Sequence, residues 1–118
     1  MSCDGTMSSP VSIHPRPSHL GHRLRLERTV EFEDWLDGLR DRRATEKIAA
    51  RLIRVESGLL GDWKPVGDGV SEMRIDYGPG YRLYYTIRGQ VIVILLCGSD
   101  KRGQGRAIAL AKELVKSV

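Results

Sequence analysis

The sequence predicts an α+β domain, in which a small antiparallel β-sheet packs against an N-terminal helical hairpin and a further helix ends the chain. Over residues 32–59 the apolar residues recur every three or four positions, as in amphipathic helices. From Glu72 the period changes to two, as in half-buried strands. The run Val91–Cys97 has no polar member, which is typical of an interior strand. The predicted order is therefore β-α-α-β-β-β-α.

The N-terminal half is predicted to hold one strand and two helices. His22–Glu27 alternates leucine with charged residues, which predicts a half-buried strand. Thr29 can cap a first helix and Asp41 a second, because their side-chain oxygens can accept from free backbone N–H groups. The joint is short, so the helices are expected to form an antiparallel hairpin. Their apolar stripes are Phe32, Trp35, Leu36 and Leu39 in the first helix and Ile48, Leu52, Val55 and Leu59 in the second.

The C-terminal half is predicted to hold three meandering strands and the last helix. Residues 61–71 are rich in glycine and are expected to form a loop. Strands follow over residues 72–77, 81–88 and 91–97, and a type II turn with Pro79 and Gly80 joins the first two. The last helix carries an apolar stripe of Ala107, Leu110 or Ala111, Leu114 and Val118.

One face of the predicted sheet is left without a cover, because the helical hairpin lies on the other. We expect this open face to carry most of the polar side chains of the strands. It collects Arg74, Asp76, Arg82, Tyr84 and Arg88, with Lys101 and Arg102 entering from the end of a strand.

Length and composition narrow the class of protein. The 118 residues make one domain, predicted over 20–118, after a leader over 1–19 that is rich in proline and serine and is expected to be disordered. No apolar run is long enough to cross a membrane. Cys3 and Cys97 cannot form a disulfide framework, so a reducing cytoplasm is the expected location. No convergent set of metal ligands and no phosphate-binding loop is present, so we expect neither metal nor cofactor.

The basic charge is concentrated in the C-terminal half. The formal net charge is +4 and the sequence pI is about 9.3. Residues 64–118 hold nine Lys or Arg against five Asp or Glu, so the whole excess lies there. Arginine supplies 14 of the 19 basic residues, and its planar guanidinium suits bidentate contacts with phosphate. The pattern favours an anionic partner, either a nucleic acid or an acidic protein.

Four segments carry a resemblance to a known family. The longest, over residues 63–85, reads WKPVGDGVSEMRIDYGPGYRLYY, and residues 95–101 read LLCGSDK. Residues 31–36 (EFEDWL) and 41–43 (DRR) fit the same pattern. Together they resemble the addiction-module killer proteins, a HigB-like branch of the RelE/ParE toxin superfamily. The resemblance covers about residues 22–116 and implies the superfamily fold, a small sheet with a helical hairpin.

The resemblance also implies a function and partners. It implies the toxin of a type II toxin–antitoxin pair, neutralised by a small antitoxin that is usually helix-turn-helix and encoded next door. Operator DNA would be bound only through that antitoxin. RelE-type members cut mRNA on the ribosome, and a metal-independent endoribonuclease is the favoured interpretation. The alternatives are a ParE-type inhibitor of DNA gyrase that does no chemistry and a relative that retains only antitoxin binding.

For the site, the resemblance implies Arg82 as the catalytic arginine of a Gly-Tyr-Arg motif and Lys101–Arg102 as a second basic group. Arg74 corresponds roughly to a lysine of the family on the preceding strand. The late tyrosine of RelE falls at Ile108, and no histidine follows His22. Cleavage by a 2′-hydroxyl also needs a proton acceptor and a proton donor. The candidates, among which the sequence does not choose, are Asp76, Tyr84, Asp100 and Lys101.

Overall fold

Five strands and three α-helices make up the part of the chain that the computed structural model describes, residues 22–118. The elements are β1 (Arg25–Arg28), α1 (Val30–Asp37), α2 (Arg42–Glu56), β2 (Trp63–Gly67), β3 (Val70–Ile75), β4 (Tyr81–Arg88), β5 (Ile92–Ser99) and α3 (Gln104–Leu114). A single 3₁₀ turn, Val115–Ser117, follows α3. The predicted leader and Cys3 lie outside the described residues. None of the helices between residues 22 and 118 is long and apolar enough to cross a membrane.

Both N-terminal helices begin at the predicted caps. The Thr29 hydroxyl accepts a hydrogen bond from the Phe32 N–H at 3.0 Å. The Asp41 carboxylate accepts from the backbone N–H groups of Arg43 and Ala44 at 2.9 and 3.3 Å. The two helices pack mainly on the sheet, α1 over β5 and α2 over β3. The two helices therefore follow each other in the chain as the predicted hairpin requires, but they pack on the sheet more than on each other.

The sheet is mixed, not purely antiparallel as predicted. Its strand order is β1-β5-β4-β3-β2, and β1 runs parallel to β5, with Arg25 opposite Ile92. The remaining neighbours are antiparallel. A parallel pair requires a long connection between its strands, and here the whole segment from α1 to β4 supplies it. Alternation within a strand shows which residues are buried but does not show which neighbour the strand pairs with.

The expectation of a loop over residues 61–71 is wrong, because much of this segment is β2, an edge strand of the sheet. Trp63 pairs with Met73, and a bulge follows Pro65. Proline is tolerated here because an edge strand needs fewer backbone donors. Asp68 and Gly69 have φ angles of +56° and +79°, as in the two-residue Asp-Gly hairpin turn.

The two faces of the sheet are covered by different helices. We call them the α1–α2 face and the α3 face. The cluster on the α1–α2 face comprises Leu24, Phe32, Ala44, Ile48, Leu52, Val55, Leu60, Met73, Ile75, Tyr81, Leu83, Tyr85, Val93 and Leu95. The cluster on the α3 face comprises Val70, Tyr84, Ile94, Leu96, Cys97, Ala107 and Ala111.

The face expected to be open is therefore covered by α3. Ala107 and Ala111 are the buried residues of this helix, and their small side chains let it lie close to the sheet. The Cys97 thiol is buried against the Ala107 carbonyl at 3.4 Å. Burial raises the pKa of this thiol to about 11. An open depression lies at one end of the sheet.

Candidate functional site

An open depression of about 400 Å³ lies at the end of the sheet where the β3–β4 turn meets the loop after β5. Gly78 and Gly80 in this turn have φ angles of +58° and +81°, and the Gly80 N–H donates to the Tyr77 carbonyl at 3.1 Å. The Lys101 N–H donates to the Pro79 carbonyl at 3.4 Å and so joins the loop to the turn. The depression is lined by Asp62, Arg74, Ile75, Asp76, Gly78, Pro79, Gly80, Tyr81, Arg82 and Lys101.

Arg82 reaches the depression from a largely buried position on β4. Its side chain is 11% exposed, and its Nη1 donates to the Glu72 Oε1 at 3.1 Å. Glu72, on the neighbouring strand β3, is fully buried. A charge inside a protein is costly unless it is paired, and each of these two residues supplies the other's counter-charge. The pair holds the guanidinium at the inner wall of the depression.

Two further donors occupy the other oxygen of Glu72. The Tyr84 hydroxyl donates to Oε2 at 3.2 Å, and the Gln104 side-chain amide donates to the same atom at 2.8 Å. The Tyr84 hydroxyl also lies 3.4 Å from the Ser99 Oγ. Burial raises the pKa of Tyr84 to about 12. Tyr84, a candidate acid or base in the sequence analysis, thus has its hydroxyl inside the fold, where no substrate can touch it.

Arg74 lies at the outer rim of the depression and is paired with Asp62. Its Nε and Nη2 donate to the two carboxylate oxygens of Asp62 at 3.2 and 3.1 Å. Both side chains are exposed. The hydrogen bonds to Asp62 raise the pKa of the Arg74 guanidinium. Arg51 of α2 contacts the backbone of β3 at this point, since its Nη1 donates to the Arg74 carbonyl at 2.8 Å.

Asp76 and Lys101 line the depression with exposed side chains. The ion-pair partner of Arg74 is Asp62 and not Asp76, which lies two residues further along the chain. Within residues 22–118 no ion pair involves Asp76 or Lys101. A carboxylate and an ammonium group are therefore both available to a ligand.

The other sequence candidates lie away from the depression. Arg102 is exposed beside Lys101 but does not line it. Asp100 accepts the Gly103 N–H at 2.9 Å just before α3. Arg88 lies at the far end of β4 and donates to the carbonyls of Val115 and Val118 at 3.2 and 3.0 Å. Its role is to hold the C-terminal turn.

Three residues of the site were missed by sequence reasoning: Asp62, Glu72 and Gln104. The alternation places Glu72 on the face of Arg74, but a period of two does not show that a charged residue is buried. Gln104 comes from another element of the chain, and Asp62 lies in the segment taken for a loop. The sequence nevertheless carried a signal. A glutamate and an arginine on the same face of neighbouring strands can pair, and Glu72 and Arg82 lie on two strands joined by a predicted turn.

The arrangement can bind a phosphate and move a proton. Arg82, Arg74 and Lys101 place positive charge around one depression, where it can stabilise charge that develops on phosphate oxygens. Asp76 adds a carboxylate that can accept a proton. Within residues 22–118, no group of three or more His, Cys, Asp or Glu side chains is placed to hold a metal ion.

Comparisons with known proteins give the family and the fold. No protein-family model matches the sequence. An uncharacterized protein of Haemophilus influenzae is 44% identical over 95 residues, which are 80% of this chain and 96% of that protein. The chain belongs to the same family as that protein.

The fold itself is similar to that of a solved toxin. The structure of the E. coli toxin RelE, an arginine-to-alanine double mutant in the free state, matches with a TM-score of 0.61. The match covers 81% of this chain and 98% of that chain, at 19% sequence identity. The protein has a RelE-like α+β fold, as the sequence resemblance implied, while the predicted element order and helical hairpin are matched only in part.

Proposed function

We propose that this protein is the toxin of a type II toxin–antitoxin pair, of the HigB-like branch, and that it cleaves mRNA on the ribosome without a metal ion. The RelE-like fold supports a toxin. One observation carries the activity: Arg82, Arg74 and Lys101 surround the same depression as the exposed carboxylate of Asp76. This combination provides anion binding and proton transfer at one place.

The proposed reaction begins with attack of a ribose 2′-oxygen on the adjacent phosphorus. Asp76 takes the 2′-hydroxyl proton as the new P–O bond forms, and the P–O5′ bond then breaks. Lys101 gives a proton to the leaving 5′-oxygen. The products are a 2′,3′-cyclic phosphate and a 5′-hydroxyl, so atoms and charge balance without a co-reactant.

The arginines act on the pentavalent phosphorane between these two proton transfers. Arg82 lines the depression, and Glu72 binds only Nη1 of its guanidinium, which leaves Nη2 for a phosphate oxygen. Asp62 binds Nε and Nη2 of Arg74, which leaves Nη1 for a phosphate oxygen. Cationic stabilisation of this kind is often the largest single contribution to catalysis.

The proposed partner is a small antitoxin, usually helix-turn-helix and encoded next to the toxin, and the complex is placed in the cytoplasm. We expect an acidic or amphipathic antitoxin segment to cover the basic depression, because it would neutralise the cations that bind the phosphate. Such a complex is expected to weaken as salt rises through about 0.1 to 1 M. Operator DNA would be bound through the antitoxin alone.

The experiment that tests the activity is primer extension on a defined mRNA in a translating extract. The wild-type protein is expected to create new 5′ ends only when ribosomes are present. Arg82→Ala is expected to lower cleavage by about 10²–10³-fold, because it removes charge stabilisation of the transition state. The matched control is Arg25→Ala, which removes an exposed arginine of β1 that pairs with Glu27.

Intact mRNA from a preparation that still arrests growth would contradict the proposal. A plasmid supercoiling assay with purified gyrase would then test the alternative of a non-catalytic gyrase inhibitor. If neither mRNA nor gyrase is affected and growth is normal, an inactive antitoxin-binding relative is the remaining interpretation.

A further inference from the structure

We propose that Glu72 is a positioning residue for Arg82, and that Gln104 braces it from α3. The inference rests on the proposed function, since it concerns the cleavage step at Arg82. Glu72 receives three hydrogen bonds, from Arg82, Tyr84 and Gln104, at 3.1, 3.2 and 2.8 Å. It is fully buried, so it cannot touch a substrate and must act through Arg82.

The division of the two carboxylate oxygens explains how the arginine is held. Oε1 accepts from Arg82, while Oε2 accepts from Tyr84 and Gln104. Because Oε2 is fixed by two donors, the carboxylate cannot rotate and Oε1 keeps one position. The conformational entropy of the Arg82 side chain is then lost during folding and not when the substrate binds. Because Arg82 lines the depression, this restraint also fixes the place of its guanidinium there.

Stability alone does not account for a buried ion pair. Replacing such a pair by apolar side chains of similar volume is often neutral or stabilising. The other ion pairs within residues 22–118 involve exposed side chains, and Glu72–Arg82 is the one in which both partners are mostly buried. The Nε of Arg82 is also buried without a hydrogen-bond partner in the described structure, which adds to the free-energy cost of burying the pair. These costs are explained if the geometry of Arg82 is what the pair maintains.

Gln104 connects this geometry to the seating of α3. It is the first residue of that helix, and Ala107, one turn later, packs against the sheet. Its amide makes the shortest of the three hydrogen bonds to Glu72. A shift of α3 would therefore remove one of the two donors that fix Oε2 of Glu72, and it would loosen Arg82 without touching the depression itself.

The test uses the full chain on ribosomes programmed with a defined mRNA. Single-turnover cleavage rate and half-saturating toxin concentration are measured separately for the wild type, Glu72→Gln, Glu72→Asp and Gln104→Ala. The matched control is Glu113→Gln, which removes an exposed carboxylate of α3 that pairs with Lys116. Nitrogen-15 NMR of the Arg82 guanidinium reports its order in every variant, whether or not the protein cleaves RNA.

We expect Glu72→Gln and Glu72→Asp to lower the cleavage rate by about 10²-fold, because misplacing a catalytic group by about 1 Å has this effect. The half-saturating concentration is expected to stay within about twofold, since ribosome binding does not depend on this carboxylate. Gln104→Ala is expected to show a smaller loss of rate. In each of these variants the restrained Arg82 signals of the wild type are lost, and Glu113→Gln retains them.

Glu72→Asp keeps the counter-charge of Arg82 and Gln104→Ala changes no charge, so these two decide the matter if Glu72→Gln does not fold. Folded variants that cleave at the wild-type rate while Arg82 has lost its restraint would overturn the positioning role. A loss of rate that only follows the folded fraction, with Arg82 still restrained, would also overturn it. If the wild-type protein cleaves no mRNA although its Arg82 is restrained, the proposed function is overturned. Glu72 would then position Arg82 but would have no role in cleavage.

Discussion

The two faces of the sheet are built by different rules. On the α1–α2 face the buried side chains are apolar or aromatic, and two helices cover them. On the α3 face the apolar cluster is joined by buried Glu72, Thr86 and Ser99. Apolar burial is non-directional and stabilises many arrangements, whereas buried polar groups require partners in defined positions. The first face therefore supplies stability and the second supplies geometry for the site.

The largest expected change in the free energy of unfolding comes from creating a cavity in the apolar cluster of the α1–α2 face. Phe32 is fully buried, and Phe32→Ala is expected to lower the free energy of unfolding by about 3–5 kcal/mol. Urea unfolding measures the loss. The control is Val30→Ala on the same helix, where the side chain is 69% exposed and the loss is expected to be within about 0.5 kcal/mol. Equal losses for the two variants would mean that this face is not the stable core.

Tyr84 and Tyr85 are neighbours on β4 and lie on opposite faces of the sheet, so removing the hydroxyl oxygen of each in turn compares the two faces. The Tyr84 hydroxyl, on the α3 face, donates to Glu72, so Tyr84→Phe is expected to cost about 1.5–3 kcal/mol in the free energy of unfolding. The Tyr85 hydroxyl, on the other face, is buried and makes no hydrogen bond of ordinary length in the described structure; the Ser71 side chain near it only partly offsets the effect of burial on its pKa. Tyr85→Phe is therefore expected to be neutral or stabilising in the same urea experiment. The reverse order of the two losses would contradict the division between the faces.

The α1–α2 face was largely predictable from the sequence because its signals are local. Helix caps at Thr29 and Asp41 and alternation in Met73 and Ile75 each depend on residues close together in the chain. The strand β2 was missed because proline and glycine dominate its composition. The Asp-Gly pair at residues 68 and 69 is typical of a two-residue hairpin turn, but the surrounding glycines favour a loop.

The candidate site was predictable only in part because its contacts join distant segments. Arg82, Arg74, Lys101 and Asp76 were named from the sequence, and the depression brings them together. The burial of Glu72 could not be foreseen, because it requires α3 to cover the face that was expected to be open. Nothing in the strand pattern shows that this helix returns over β4.

Alkaline pH gives a third and smaller test. Burial raises the pKa of both Tyr84 and Tyr85, to about 12 in the case of Tyr84. In the unfolded chain both ionise near pH 10, so between pH 10 and about 12 the unfolded state binds fewer protons than the folded state. The free energy of unfolding is therefore expected to fall as pH rises through this window and to be insensitive to these groups below it.

Urea unfolding at pH 9, 10 and 11 measures this slope. Each Tyr→Phe variant is expected to remove part of it, and the double variant Tyr84→Phe with Tyr85→Phe is expected to remove more than either alone. Taking differences between variants cancels the contribution of Cys97, whose thiol pKa is also raised by burial. An unchanged slope in both single variants would mean that neither hydroxyl is desolvated in the folded protein.

The smallest effect concerns the exposed rim, where Asp62 holds Arg74. The pair is exposed on both sides, so Asp62→Asn is expected to change the free energy of unfolding very little. Its effect is on charge: Arg74 becomes free to contact a second phosphate. For single-stranded RNA, the slope of log affinity against log salt is then expected to steepen by about 0.7.

Asp68→Asn is the matched control, because it makes the same charge change at the turn between β2 and β3. Asp68 pairs with Lys112 at 3.7 Å, does not line the depression and has a φ of +56°, which asparagine also accepts. Filter binding of a short RNA between about 0.05 and 0.3 M salt measures both slopes. If the two variants steepen the slope equally, the gain comes from net charge, and the rim pair does not regulate access of Arg74 to phosphate. If Asp62→Asn alone steepens it, the polar end of the sheet is tuned by individual ion pairs, unlike the apolar face behind it.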